Sequence, residues 1–185
     1  MTALFCVAVL SAQAQAPSAG KLQDGIYRNF AYGFSYKPPY GWVDRTQQMR
    51  DDSADPVKSQ LLFAIFERPP EASGDSINSA VIIATESVKA YPGLKTAADY
   101  FGPLTEVTTA KGFKVVNEPY EVNVGAKTLD RSDFSKDLGK LTMHQATLVM
   151  LAKGNVVSFT FIGSSEDEVE NLISGLSFAA SGSRR

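Results

Sequence analysis

HQATLVMLAKGNVVSFTFIGSSEDEVENLISGL, residues 144–176, decides the fold. It opens inside KLTMHQATLVMLA (140–152), which reads as a strand with His144, Ala146, Leu148 and Met150 on one face and Met143, Gln145, Thr147 and Val149 on the other. Lys153-Gly154-Asn155 then marks a tight turn into a second strand, VVSFTFIG (156–163). The period changes after Gly163. In SSEDEVENLISGLSF (164–178), Val169, Leu172, Ile173 and Leu176 recur at helical spacing, and Ser165 with Glu168 forms a capping box. Glu166, Asp167 and Glu168 therefore read as the acidic first turn of a helix at the positive end of its dipole, not as a metal site.

Working upstream, KTLDRSDF (127–134), YEVNV (120–124) and FKVVNEP (113–119) read as three more strands, with a turn at Glu118–Glu121 around Pro119. Arg131 and Asp133, two apart, share one strand face and read as an ion pair on a solvated surface. LKTAADYFGPLTEVTT (94–109) predicts the first helix, capped by Thr96 with Asp99, striped by Tyr100, Phe101, Leu104 and Val107, and kinked at Gly102-Pro103. SAVIIATESV (79–88) and LLFAIF (61–66) predict strands, the second a central one, and 44–60 a polar loop with a little helix. The expected class is α+β: a central, largely antiparallel sheet flanked by helices.

The opening stretch NFAYGFSYKPPYGW (29–42) carries six aromatics. Gly25–Asn29 and Phe34–Tyr36 read as a hairpin joined by Ala31-Tyr32-Gly33, and Pro38-Pro39 ends its second strand. Trp42 is expected to plug the end of the sheet. Tyr36, Tyr40 and Trp42 remain as candidates for surface contact.

The chain has 185 residues, 44% hydrophobic and 21% charged, with a net charge of −2. That suits one globular domain able to fold without disulfide or metal, and it offers no basic surface to a phosphate backbone, so no nucleic-acid partner is expected. Residues 1–14 read as a signal peptide: an apolar run Ala3–Leu10, then the small-x-small series Ala12 to Ala16, with cleavage after Ala14. No lysine or arginine precedes the run, which is far shorter than a membrane span needs. Residues 15–24 read as a flexible leader, 25–178 as a single domain and 179–185 as a tail. Cys6 lies inside the apolar run of the signal peptide, and Phe5 before it does not fit a lipoprotein box, so the mature chain would carry no cysteine. The product would be secreted or periplasmic, with no transmembrane segment in the mature chain.

Motifs for catalysis are missing: no H-E-x-x-H, C-x-x-C, G-x-S-x-G, G-x-G-x-x-G or P-loop occurs. His144 is the single histidine and the one group suited to act as a base near neutral pH. Two readings compete for it. One is a Ser–His–Asp arrangement drawing on Asp130, Ser132, Asp133 or Ser135; the other is a strand-end histidine, hydrogen-bonded or partly exposed. The second is favoured, because no nucleophile elbow accompanies it. Asp51-Asp52-Ser53-Ala54-Asp55 resembles a calcium loop only faintly, since Pro56 and Leu62 stand where an EF-hand needs glycine and glutamate. No catalytic residue, metal ligand or cofactor is expected.

Taken together, Gly33-Phe34-Ser35-Tyr36, Pro39-x-Gly41-Trp42, Arg131-x-Asp133 and the strand–turn–strand–helix at 144–176 resemble the PsbP-like group within the Mog1/PsbP fold, as a secreted bacterial member. The resemblance covers roughly 25–178. It implies an αβα sandwich and a non-enzymatic interaction protein. Members include lumenal subunits attached to photosystem II, and the other namesake is a partner of a Ran-type GTPase; no partner surface of either matches here residue by residue. The expected function is an exported, non-catalytic binding or scaffold domain, its partner another envelope protein or complex. The alternative is a small-ligand module or weak hydrolase with a pocket near His144.

Overall fold

The computed structural model describes residues 20–52, 59–72 and 74–178. The expected signal peptide and tail, and most of the acidic loop at 51–55, lie outside the described residues. In chain order the elements are β1 (Lys21–Gln23), β2 (Ile26–Asn29), β3 (Phe34–Tyr36), β4 (Val43–Asp44), α1 (Thr46–Asp51), β5 (Ser59–Phe66), β6 (Ala80–Ser87), α2 (Phe101–Ala110), β7 (Lys114–Val124), β8 (Lys127–Leu138), β9 (Leu141–Ala152), β10 (Asn155–Gly163), α3 (Glu166–Ile173) and β11 (Leu176–Phe178). A seven-stranded sheet runs β4-β5-β6-β10-β9-β8-β7 and a four-stranded sheet runs β1-β2-β3-β11. Every pairing in both is antiparallel.

The class is α+β, as expected, but a second sheet supplies much of one covering layer. The small sheet and α3 lie on one face of the large sheet; α2 and the 3₁₀ turn Ala98–Tyr100 lie on the other. Alternation explains both cores. Ala146, Leu148 and Met150 of β9 point to the small sheet beside Val157, Phe159 and Phe161 of β10. Val149 and Val156 point the other way, to Tyr100 and Phe101. The first core is largely aromatic: Tyr27 stacks on Phe63 at 4.4 Å, and Phe34 meets Phe159 edge-on at 4.9 Å. Tyr27, Tyr32 and Tyr36 enter that core because each hydroxyl finds a partner. Tyr27 donates to the Leu62 carbonyl (3.2 Å), Tyr36 to that of Leu172 (3.1 Å), and Tyr32 pairs with the Thr85 hydroxyl (3.1 Å).

Local chemistry also accounts for the departures from the sequence reading. Residues 21–23 form a strand rather than a leader, because Asp24-Gly25, both with positive φ (52° and 70°), closes a two-residue hairpin onto β2. Helix α2 begins at Phe101, so Pro103 falls in its first turn, where a missing N–H costs nothing, and no kink results. The two strands expected on either side of Pro119 are one, β7, at the edge of the sheet; Pro119 falls within the register shift between Asn117 and Tyr120, where no ladder bond is demanded of it. The last helix stops at Ile173, and Leu176 belongs to β11, which pairs with β3.

Candidate functional site

Helix α3 is fixed at its start by its own side chains. The Ser165 hydroxyl accepts from the Glu168 N–H (3.1 Å), while the Glu168 carboxylate accepts from Ser164 and from the Ser79 hydroxyl (2.6 Å). Burial raises the pKa of Glu168, but these hydrogen bonds outweigh it and leave the carboxyl below its ordinary value. Val169 and Leu172 anchor the helix in the core. Glu166, Asp167 and Glu170 are thereby left along its outer side, facing the edge of the large sheet.

The facing sheet surface is built by register. Arg131 and Asp133 of β8 lie opposite Leu148 and Ala146 of β9, and Ser135 lies opposite His144. On the other side, Asn117 pairs with Asp133 and Tyr120 with Arg131, so three steps along β7 match two along β8. Without that bulge, Asn117 and Tyr120 would point to opposite faces; with it, both reach the same carboxylate. Asp133 accepts from Arg131 Nε on Oδ1 (2.8 Å), and from Asn117 Nδ2 (3.1 Å) and the Tyr120 hydroxyl (2.8 Å) on Oδ2. Arg131 also bonds Glu170 Oε1 through Nη2 at 2.5 Å and lies 5.8 Å from the centre of the Tyr120 ring. Burial works against the Arg131 charge, yet its bonds to Glu170 and Asp133 keep its pKa above the usual value. Burial and the bond to Asp133 push the Tyr120 hydroxyl up to about 12. The surface expected to be solvated is in fact half-covered by α3: the Arg131 and Asp133 side chains are each only 13% exposed.

Between β7 and α3 this leaves a cleft of about 260 Å³, whose lining includes Val116, Tyr120, Arg131, His144, Glu166 and Glu170. His144 is at its end, with Nδ1 3.9 Å from Glu166 Oε1. Of the four residues offered as its catalytic partners, Ser135 alone lies directly opposite. Ser132 is wholly buried on the other face and donates to the Asn117 carbonyl (2.7 Å). Asp130 faces that side too, its carboxyl pKa raised by burial and by Glu121, and Asp133 is held by Arg131. Among the described residues, no group of three or more histidine, cysteine, aspartate or glutamate side chains could hold a metal ion.

The aromatic contact candidates are not brought to this cleft. Tyr36 is fully buried, its hydroxyl taken by Leu172, so it drops out as a surface residue. Trp42 packs half-buried against the main core, and Tyr40 alone stands free on the β3–β4 loop. Sequence reasoning missed Val116, Asn117, Tyr120, Glu166 and Glu170 as cleft residues. Arg131-x-Asp133 was the visible signal; the bulge that completes the network has no signature beyond Pro119.

No known protein family matches the chain, and neither does any curated protein. Solved structures do. The arrangement defines an α+β domain of two antiparallel sheets with few helices. The fold is PsbP-like: the solution structure of cyanobacterial PsbP (CyanoP) from Synechocystis covers 92% of this chain and 99% of its own, with TM-score 0.53 and 18% identity. LpqN of Mycobacterium tuberculosis, involved in cell envelope biogenesis, covers 80% of this chain and 83% of its own at TM-score 0.42 and 11% identity. At 18% identity the likeness to the cyanobacterial protein is one of fold.

Proposed function

We propose that this chain is an exported, non-catalytic binding domain that docks on another envelope protein or complex through the β7–α3 cleft. The observation that carries the reading is the Arg131–Asp133 network. The Asp133 carboxylate is fixed in place by hydrogen bonds from Arg131, Asn117 and Tyr120 that occupy both its oxygens, which suits a recognition surface and not a general base. His144 has Ser135 across the ladder and Glu166 3.9 Å away, yet among the described residues no hydrogen bond joins its ring to either as a catalytic relay needs, which further supports binding over hydrolysis. The signal-peptide pattern read at 1–14 supports export. Among the described residues, no helix is long and apolar enough to cross a membrane.

A small-ligand module is the second reading, favoured by the position of His144 in the cleft wall. The cleft, at about 260 Å³, falls just under the range of about 300–1,000 Å³ usual for such sites. Cross-linking in the native envelope, followed by capture of the chain, is expected to recover a defined partner. Turnover in a broad hydrolase screen, with a defined pH optimum lost in His144→Ala, would refute the binding reading.

A further inference from the structure

We propose that the β7–α3 cleft receives an extended, lysine- or arginine-bearing segment of the partner polypeptide, laid along the free edge of β7. This rests on the binding-domain reading and names the chemistry of its partner.

Charge selects the sign. The cleft lining holds four carboxylates, from Asp133, Glu166, Asp167 and Glu170, against the one guanidinium of Arg131, so with His144 neutral three negative charges are in excess. The whole chain carries a formal −2, so the residues outside this lining sum to a slight positive charge and the negative excess is local. Arg131 is spent on Asp133 and Glu170, inside the wall. Glu166 and Glu170, one helical turn apart, stand largely exposed at the mouth (side chains 78% and 55%). Such a rim attracts a cationic side chain and repels an acidic peptide or a phosphate backbone.

The edge selects the shape. Strand β7 ends the seven-stranded sheet, and no strand pairs with its outer side among the described residues. Its first half is blunted by two register shifts and by Pro119, which cannot donate to an added strand. From Tyr120 to Val124 the pairing with β8 runs without a break, leaving a regular edge for another strand to join. Val116 and Tyr120 lie beside it, 47% and 39% exposed, giving apolar contact to the methylene stem of a lysine or arginine whose head reaches the carboxylates. An extended backbone on the edge and a cation in the cleft are satisfied together.

The test uses the full chain and a fluorescein-labelled nonapeptide of alternating lysine and valine, with a glutamate-for-lysine control, read by anisotropy. The lysine peptide is expected to bind at about 50 mM salt and to weaken as the Debye length shortens. In E166Q/D167N, which leaves the Arg131 network intact, affinity should fall about tenfold. Amide shifts on binding should cluster at 116–124 and 166–170. Equal binding of the glutamate peptide, or shifts elsewhere, overturns the proposal. So does tighter peptide binding after removal of 179–185, which would make the chain's own Arg184-Arg185 the occupant. Self-association abolished by E166Q/D167N would make it a second copy and likewise overturn the proposal. An envelope protein captured equally by wild type and E166Q/D167N sinks this inference while leaving the binding-domain reading intact; catalytic turnover removes that reading itself.

Discussion

Replacing Arg131 with methionine tests the network on which the functional reading stands. The substitution keeps most of the stem and its contact with Tyr120 but removes the 2.8 Å bond to Asp133 and the 2.5 Å bond to Glu170. The Glu170 bond should matter little, since that side chain is 55% exposed and regains water. Asp133 is different, with only 13% of its side chain exposed. Breaking a buried pair from one side costs about 3–5 kcal/mol, because a charge is left without its partner. Here Asn117 and Tyr120 still donate to the orphaned carboxylate, and some water reaches it, so the expected loss is about 2 kcal/mol. For a domain of this size, that lowers Tm by about 4–8 °C. Urea denaturation followed by the single tryptophan, Trp42, and by circular dichroism would measure it. Asp133→Asn in the same background should recover about 1–2 kcal/mol as coupling, because it removes the unpaired charge. A loss below about 0.5 kcal/mol for Arg131→Met, or no coupling with Asp133→Asn, would refute the claim that the pair is fixed in the wall.

Tyr36→Phe should cost about 1 kcal/mol by removing a buried hydrogen bond to the Leu172 carbonyl, which keeps the Gly175 N–H (3.2 Å), whereas Tyr40→Ala should stay within about 0.5 kcal/mol; denaturant midpoints of the two separate core from surface aromatics. Gly175→Ala should destabilise by about 1–3 kcal/mol, since its methyl would stand 2.7 Å from the Lys37 carbonyl and 3.0 Å from the Tyr36 ring; an unchanged Tm would show that the turn gives way. The Glu168 carboxyl is held below 4.5 in the fold, so its contribution is full above that pH and is lost as pH falls through the lowered folded value. The stability gap between wild type and Glu168→Gln should accordingly be constant near neutrality and shrink below about pH 4.5, and a gap that widens on acidification would reverse the sign.

Sequence alone determined what short-range chemistry controls. Period-2 runs and the Lys153-Gly154 turn made β9 and β10 legible, the Ser165–Glu168 box placed the start of α3, and the class followed as α+β. Pairing partners far apart in the chain left no such mark. Leu176 fits a helical stripe as well as a strand, and only its alignment with Tyr36 decides between them. The aromatics at 29–42 likewise announce a hairpin, yet whether each faces solvent or core depends on distant acceptors: the Leu172 carbonyl for Tyr36, Thr85 for Tyr32, none for Tyr40. The cleft depended on tertiary structure most of all. Arg131 and Asp133 were visible as a pair, but one bulge in β7 turns Asn117 and Tyr120 to the same face, and the seat of α3 on the sheet brings Glu170 to close the network. A bulge shifts side-chain direction by one residue and a helix seat is set by core packing, so neither is written in any local run of residues.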